Sequence, residues 1–469
     1  MGTQSTRPKN RRPTKTNAAV VSTVTGTTEL LHAVVSSFLN QVQTEIASNV
    51  YPQMDDTNVL LLHLYNWIFA SVGGTTTLID STTATDETSL EDMTDDDWTN
   101  HIDTIVEDMS QNTTTSSFTI TTKSTVLSTA QQDFSTIYTE LWSHLTTMLL
   151  TSYNKSNSSH GDDEEDDSGR FRVELVRQLV SRLIELVNVG VPDIRYAIGI
   201  AIYQMGSALL RYTTTLQQKV GPVQRQYQVA QQNRQKKKAS AMQNQIQLWK
   251  RTMTDCEEIV KELIVTTVFT VRYKDQDPII RKLSLQSLHQ YCMMRPDLFL
   301  SSFYMKYFGW MMSDKHAMVR VAAIQGLMKP LEHNATTGMN NPRTTLSQND
   351  DDEDGSPVDI TSNMNSVITK FLPRIVDCVI DIDVTVQEIA MEFVLLLLRH
   401  YEYFNDVEND QMWNQINVRA LDPHASPRVR LHALYFVLEQ LDESTSTITT
   451  ATNSSERDVV TQLYSIGRW

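Results

Sequence analysis

Apolar residues recur at helical spacing along much of this 469-residue chain. One stripe comprises Leu175, Val176, Leu179, Val180, Leu183, Ile184 and Val187, and another comprises Ile389, Ala390, Phe393, Val394 and Leu397. Spacings of three and four residues place such side chains on one face of an amphipathic helix. Alternating strand patterns are essentially absent, and so are Asn-Gly or Asp-Gly hairpins, so the sequence predicts an all-α fold.

A recurring helix start indicates a repeat. An acidic residue or proline precedes a branched aliphatic residue, which a basic residue usually follows. The instances are Pro192-Asp193-Ile194-Arg195, Asp277-Pro278-Ile279-Ile280-Arg281, Asp314 with Val319-Arg320, Asp383 with Val386-Gln387, and Asp422-Pro423 with Val429-Arg430. Two of the intervals are roughly 40 residues, the period of HEAT-type helical hairpins. We therefore predict a HEAT-like array of helical hairpins, an armadillo-type solenoid.

The same residues predict how neighbouring hairpins hold together. Proline and aspartate suit the first turn of a helix, and the aliphatic residue packs against the neighbouring hairpin. We expect the arginine to reach an aspartate of the adjacent repeat, which keeps the stack in register. These arginines are therefore interpreted as structural, because a single hairpin cannot bury its own apolar face.

Charge is distributed unevenly in a chain whose formal net charge is −16. No Asp or Glu occurs from Ile194 to Thr254, whereas lysines and arginines are frequent there. We predict a long, protruding helical hairpin that binds the phosphate backbone of duplex DNA, independently of base sequence. The expected contacts are Arg225, Arg234, Lys236, Lys237, Lys238, Lys250 and Arg251. Alternatively, the charge only solubilises the hairpin or neutralises the acidic runs at 162–167 and 350–354.

Several classes of chemistry have no support in the sequence. Cys256, Cys292 and Cys378 are far apart and form no CxxC pair, which argues against disulfides and structural zinc. Gly-rich phosphate loops, GxSxG, HExxH and EF-hand patterns are missing, so we predict neither an enzyme nor a cofactor. No apolar run is long enough to span a membrane.

One region resembles a known family. Four segments carry the likeness: Phe269-Thr270-Val271-Arg272-Tyr273-Lys274-Asp275, Ile279-Ile280-Arg281, Tyr304-Met305-Lys306-Tyr307-Phe308-Gly309-Trp310, and Asp314 with Val319-Arg320. Their order resembles the stromalin conservative domain of the STAG family of cohesin subunits. Flanking segments are similar as well: Val223-Gln224-Arg225-Gln226-Tyr227 before the domain, Lys370-Phe371 and Arg374-Ile375-Val376 after it.

The resemblance implies a nuclear, chromatin-associated scaffold for sister chromatid cohesion. Such a subunit binds the kleisin chain, and SMC ATPases indirectly, and contacts duplex DNA. Cohesin loading and release factors dock through short aromatic motifs. The residues that match the family's motif pocket are Tyr273, Lys306, Trp310, Lys370, Phe371 and Arg374. Val367 stands where the family tends to have a second aromatic residue.

Two interpretations stay open beside the resemblance. Without it, Trp310 would be assigned to the core, because large aromatic side chains are usually buried. The alternative function is that of an unrelated HEAT-repeat adaptor, such as a transport receptor or phosphatase scaffold. Five regions are expected: a disordered basic tail (1–27), an N-terminal helical domain with the basic hairpin (28–268), the conservative domain with a disordered acidic insertion at 334–357 (269–378), further repeats (379–441) and a tail (442–469).

Overall fold

A computed structural model describes residues 129–151, 165–340, 360–401 and 410–449, with a few isolated positions before 129. The predicted tail 1–27 and the acidic run 350–354 lie outside the described residues. Every regular element in the described ranges is helical, which confirms the predicted all-α fold. The chain divides into two compact units, Met1–Ile280 and Arg281–Trp469.

The first unit contains four long helices. These are α1 (Thr129–Thr151), α2 (Glu165–Glu185), α3 (Pro192–Gln232) and α4 (Lys236–Glu258). A 3-10 turn, Leu186–Asn188, follows α2. A π-helix, Ile259–Phe269, and a last turn, Thr270–Arg272, extend α4. Helices α3 and α4 pack against each other as the predicted long hairpin.

Helix α3 changes character along its 41 residues. Its first half is apolar on all sides and is buried, because α1 and α2 also pack against α3. Its second half is polar and packs mainly on α4. Between 217 and 251 the buried residues are Ala230, Ala239 and Ile246. This outer part of the hairpin therefore has one thin apolar seam and a mostly exposed surface.

The second unit consists of further helices, and α5 (Pro278–Met294) begins just before it. The others are α6 (Pro296–Phe299), α7 (Ser302–Met311), α8 (Ala317–Asn340), α9 (Ile360–Asp377), α10 (Val384–His400), α11 (Asp410–Leu421) and α12 (Pro427–Thr449). A 3-10 turn, Cys378–Ile380, ends α9. Neighbouring helices pack against each other around buried aromatic residues such as Phe308, Phe393 and Phe436. The predicted hairpin array is thus confirmed.

In three places a helix runs into polar sequence. Helix α2 begins at Glu165, inside the acidic run 162–167, and acidic residues are favoured in a first helical turn. Helix α8 continues to Asn340, past the predicted start of the insertion at 334. Helix α12 continues to Thr449, past the predicted end at 441. In each case an already formed helix is extended, which costs less than starting one.

Arginines at the helix starts pair with aspartates further along the chain, as predicted. In the first unit, the Arg195 guanidinium donates to both carboxylate oxygens of Asp275 at 3.0 and 3.1 Å. In the second, Arg281 bonds Asp314 at 2.8 and 2.9 Å, and Arg320 bonds Asp381 at 2.6 Å. All three pairs are buried.

The regularity ends beyond Arg320. Gln387 stands where an arginine would continue the series, and its amide donates to the backbone carbonyl of Asp381. Arg430 has no carboxylate partner within the described part of the chain. The structural role predicted for the helix-start arginines is therefore confirmed for Arg195, Arg281 and Arg320.

Asp275 makes the stability of the first unit sensitive to acid. Burial raises the pKa of its carboxyl. Hydrogen bonds from Arg195 and the Asp277 backbone, together with the charges of Arg195 and Arg272, lower this pKa by more than burial raises it. The net pKa is below the ordinary value. A depressed folded pKa stabilises the fold above the unfolded pKa of about 4, and this contribution disappears as pH falls through the folded value.

We expect the unfolding free energy to drop between pH 5 and the folded pKa of Asp275, by about 1.4 kcal/mol for each pKa unit of depression. Urea denaturation followed by circular dichroism at pH 7 and at a series of acidic pH values measures it. The Asp275→Asn variant should have a lower unfolding free energy than the wild type at pH 7, and this free energy should fall less on acidification. An equal acid-induced loss in both proteins would contradict this assignment.

Candidate nucleic-acid and peptide interfaces

The outer part of the α3–α4 hairpin, residues 217–251, is called the basic tip. Its cations are all exposed: Lys219, Arg225, Arg234, Lys236, Lys237, Lys238, Lys250 and Arg251. None of them forms an ion pair with any described carboxylate. The carboxylates nearest in sequence are Asp193 before this stretch and Asp255 after it. Positive charge is therefore concentrated on one exposed element without local compensation.

Two other cations of the acid-free stretch serve the fold. Arg195 is buried against Asp275 and the carbonyls of Val189 and Gly190. Arg211 donates to the hydroxyl of Ser143 on α1, which connects two helices of the first unit. The basic tip therefore begins beyond Arg211, where α3 leaves its neighbours α1 and α2.

The connection between α3 and α4 contains an unusual backbone conformation. Arg234 has φ 54°, in the left-handed region that favours glycine. A residue with a β-carbon there carries a conformational cost of about 1 kcal/mol. The tight turn places a cation, instead of a glycine, between Arg225 and the three consecutive lysines.

In the second unit, an aromatic cluster lies on the exposed face of α7. Trp310 is 49% exposed and meets Tyr307 edge to face, with ring centroids 5.5 Å apart. The Lys306 ammonium lies 5.6 Å from the Trp310 ring centroid and 4.3 Å from that of Phe303. Trp310 is therefore not a core residue, contrary to what its residue type alone would indicate.

Phe371 joins α9 to this helix. A β-carbon placed on Gly309 would lie 2.2 Å from the Phe371 ring, so the ring rests directly on the backbone of α7. Lys370 lies 5.7 Å from the same ring. Arg374 donates to the carbonyl of Met312, just past the end of α7, at 2.8 Å. These contacts bring five of the six predicted peptide-binding residues onto the α7–α9 pair, called the aromatic notch.

Tyr273, the sixth residue, belongs to the other compact unit. Its side chain is only 4% exposed and stacks on Phe269, with ring centroids 5.4 Å apart. A ring buried in this way offers little surface to a peptide, and the assignment of Tyr273 to the docking surface stays a prediction. Its sequence neighbours Arg272 and Asp275 form a buried ion pair, so this part of the chain also contributes to packing.

Phe303 was missed by sequence reasoning. It is 57% exposed, contacts Lys306 and lies on the same face of α7 as Trp310. Residues 303, 306, 307 and 310 are three or four positions apart, and that spacing is the signal that would have found it. Val367, which replaces a second aromatic residue of the family pattern, is buried one turn before Phe371.

Reactive and metal-binding groups are not prominent in the described residues. They contain no cluster of His, Cys, Asp and Glu suited to a metal ion, and none of their helices is long and apolar enough to span a membrane. Burial raises the pKa of the Cys256 and Cys292 thiols, and that of Cys378 to about 11. These thiols are thus protonated and inert at neutral pH.

Comparisons with known proteins identify a matching domain and several similar proteins. A family model described as the stromalin conservative domain matches residues 274–341, inside the predicted 269–378. Sister-chromatid cohesion protein 3 of Arabidopsis thaliana is 29% identical over 148 residues, 32% of this chain and 11% of that protein. Human cohesin subunit SA-3 is 24% identical over 227 residues, 48% of this chain and 17% of that protein.

A solved structure supports the fold over most of the chain. Cohesin subunit Scc3 from Z. rouxii matches with a TM-score of 0.58 at 15% sequence identity. The match covers 94% of this chain but 44% of that one, so this chain spans less than half of the solved relative. The solved structure supports the fold, and the matched domain and the curated relatives confirm the resemblance seen in the sequence: residues 274–341 match the stromalin conservative domain, and the chain is similar to cohesin subunits of the STAG family.

Proposed function

We propose that this chain acts as a non-enzymatic regulatory subunit of cohesin, on chromatin in the nucleus. It binds duplex DNA through the basic tip and short aromatic peptides through the aromatic notch. The names of its relatives, which are cohesin subunits and a sister-chromatid cohesion protein, support the assembly. The observation that carries the proposal is the set of exposed, uncompensated cations between Lys219 and Arg251.

The electrostatics of the basic tip favour duplex DNA. Each lysine or arginine that neutralises a phosphate releases a condensed counterion, so binding strength comes from charge rather than base sequence. Aromatic side chains are sparse at the tip, where Tyr227 and Trp249 are half-buried, so bases have few stacking platforms. Because no described carboxylate forms an ion pair with these cations, the cations are available to bind DNA phosphates.

The aromatic notch has the composition of a peptide anchor site. A half-exposed tryptophan, an exposed phenylalanine and two lysines within cation–π distance of aromatic rings offer both apolar and charged contacts. A short motif with one or two aromatic side chains fits this chemistry. We assign such motifs to cohesin loading and release factors.

Kleisin is the expected assembly partner, and SMC ATPases are reached through it. Affinity purification of the chain from nuclei tests this assignment. Recovery of kleisin and SMC ATPases is the expected result. Recovery of karyopherin cargo or phosphatase subunits instead would favour an unrelated HEAT-repeat adaptor and overturn the cohesin assignment.

A salt titration tests the DNA surface. The affinity for a duplex of arbitrary sequence is measured by fluorescence anisotropy. The logarithm of the association constant should fall linearly with the logarithm of the salt concentration, with a slope of about −0.9 for each phosphate contact. Duplexes of unrelated sequence should bind equally well. A salt-independent affinity, or strong preference for one sequence, would be inconsistent with contacts limited to the DNA backbone.

Arg234→Gly is expected to separate stability from binding. Glycine relieves the left-handed strain and should leave the unfolding free energy unchanged or raise it by up to about 1 kcal/mol. Loss of one phosphate contact should at the same time reduce the salt slope of DNA binding by about one. Denaturation and anisotropy on the same protein measure both effects, and unchanged DNA binding would remove Arg234 from the interface.

Trp310→Ala is expected to abolish capture of aromatic-motif peptides, because it removes the largest exposed ring of the notch. The side chain is half-exposed, so the unfolding free energy should change by less than about 1 kcal/mol. Peptide binding by calorimetry and denaturation measure the two quantities. Phe299→Ala is a matched control, since that ring is fully buried: it should destabilise the fold. A large destabilisation by Trp310→Ala would return this ring to the core.

A further inference from the structure

A serine follows the three consecutive lysines of the basic tip, close to the start of α4. Ser240 is exposed, and Lys237 and Lys238 stand three and two positions before it. Protein kinases select their substrates partly by the charges around the acceptor residue. Basic residues at these two positions suit a serine kinase whose substrate groove is acidic. The segment therefore has the form of a phosphorylation site.

The same pattern occurs a second time in the described part of the chain, and there the fold conceals it. Arg281-Lys282-Leu283-Ser284 has identical spacing. Ser284 is fully buried, however, and Arg281 is held by Asp314 in one of the buried ion pairs. A further instance, Arg11-Arg12-Pro13-Thr14, lies outside the described residues. Exposure, rather than sequence, thus distinguishes the two serines.

The start of α4 is also weakly held. A kinase binds its acceptor segment in an extended form, so the first turns of the helix have to open before the hydroxyl can react. The buried residues of the tip are Ala230, Ala239 and Ile246, and the one beside Ser240 is a small alanine. Segments with few buried apolar contacts open locally at low free energy. The acceptor segment is therefore both exposed and able to open without unfolding the first unit.

A phosphate on Ser240 neutralises part of the basic tip from within. Residues three and four positions apart are neighbours on a helix, so this phosphate lies beside Lys237 and Lys236. Phosphoserine carries a charge of about −1.5 to −2 at neutral pH and three acceptor oxygens, which suffices for two ammonium groups. Lysines that are paired in this way no longer neutralise the phosphates of DNA.

We propose that Ser240 is a phosphorylation site whose phosphate pairs with Lys236 and Lys237 and thereby switches off DNA binding by the basic tip. ATP is the phosphoryl donor. The bond between the γ-phosphorus and the β–γ bridging oxygen breaks, and a bond from this phosphorus to Ser240 Oγ forms. The hydroxyl proton passes to the catalytic aspartate of the kinase, and ADP leaves. The switch rests on the proposed DNA-binding function, whereas the modification itself does not.

Kinase treatment of the full chain tests the site. Cyclic-AMP-dependent protein kinase, which prefers this basic pattern, is supplied with ATP and magnesium, and mass spectrometry maps the modified residues. We expect phosphate on Ser240 and not on Ser284 of the folded protein, whereas synthetic peptides spanning 234–244 and 278–288 should both be modified. Lys237→Ala should slow the reaction at Ser240. An unmodified Ser240 in the folded chain, or equally fast modification of both serines, overturns the proposal.

Phosphoserine installed at position 240 during synthesis tests the switch. Phosphoserine in place of Asn244 is the matched control, since Asn244 is exposed on the same helix and no lysine or arginine stands three or four positions from it. In fluorescence anisotropy, phosphate at 240 should reduce the salt slope by about 1.8, which corresponds to two lost phosphate contacts, and weaken binding about 10-fold or more at low salt. The control should lose less than half as much slope. Equal losses overturn the pairing with the lysines.

Phosphorus NMR provides a readout that does not involve DNA. Lys236 and Lys237 should lower the second pKa of the phosphate at 240 below its ordinary value of about 6, and the phosphate at 244 should titrate near that value. Identical titrations overturn the pairing. Failure of the unmodified protein to bind DNA overturns the proposed function and the switch with it. If the unmodified protein binds and the protein phosphorylated at 240 binds equally well, the proposed function stands and the switch alone is overturned.

Discussion

Replacing Lys236, Lys237 and Lys238 together by glutamate is expected to weaken duplex DNA binding by about 100-fold at low salt. Each lost contact between a cation and a phosphate is worth roughly 1 kcal/mol at a hydrated surface, and 1.4 kcal/mol is a tenfold change in affinity. Three contacts thus contribute about 3 kcal/mol, and the new negative charges add repulsion. The salt slope should fall by about 2.7, since each phosphate contact accounts for about 0.9.

A matched pair of single reversals separates position from net charge. Lys237→Glu and Lys315→Glu change the total charge equally, and both lysines are exposed without an ion pair in the described part of the chain. Only Lys237 lies on the basic tip. We expect a loss of about one unit of salt slope for Lys237→Glu and little change for Lys315→Glu. Equal losses of salt slope in the two single variants would indicate that DNA responds to the net charge of the protein. Unchanged DNA binding by the triple variant would exclude the basic tip as the DNA-binding surface.

The largest stability effect is expected for Asp275→Ala, which should lower the unfolding free energy by about 3–5 kcal/mol. The Asp275 side chain is 1% exposed and accepts hydrogen bonds from Arg195, Arg272 and the backbone N–H of Asp277. Its removal leaves two buried guanidinium groups without their carboxylate. A buried charge that loses its partner is costly because the interior solvates it poorly.

Glu174→Ala is the matched control for this prediction. Glu174 belongs to the same unit and pairs with Arg177 at 3.4 Å, but it is largely exposed to solvent. An exposed pair of this kind contributes up to about 1 kcal/mol. Urea denaturation of both variants, followed by circular dichroism, measures the difference. Similar losses for Asp275→Ala and Glu174→Ala would mean that the buried pairs do not hold the repeats together.

Local patterns were sufficient for the fold class and for the connections between hairpins. Helical spacing, proline and aspartate at helix starts, and the arginine that follows them all act within a few residues. For this reason the sequence predicted that Arg281 and Arg320 each pair with an aspartate, although it did not say which one. The long α3–α4 hairpin was predicted equally well, because a polar, acid-free helical stretch cannot be a core element.

The candidate surfaces were predicted less completely. Lys306, Trp310 and Phe371 were named from the resemblance, yet exposure of Trp310 depends on which face of α7 its neighbours leave open. Tyr273 was named from the same resemblance, yet its ring is buried and stacks on Phe269, which the motif alone does not indicate. Phe303 was missed, although its helical spacing from Lys306 was visible in the sequence. Residue type alone does not say whether an aromatic ring is buried or exposed.

The sequence by itself determined the helices, the repeat and the location of the positive charge, because these follow from periodicity and composition. Only the tertiary structure decided which residues share a surface. Gly309 and Phe371 are far apart in the chain, and their contact depends on how α7 and α9 pack. Such contacts are set by the packing of distant segments, which no local pattern specifies.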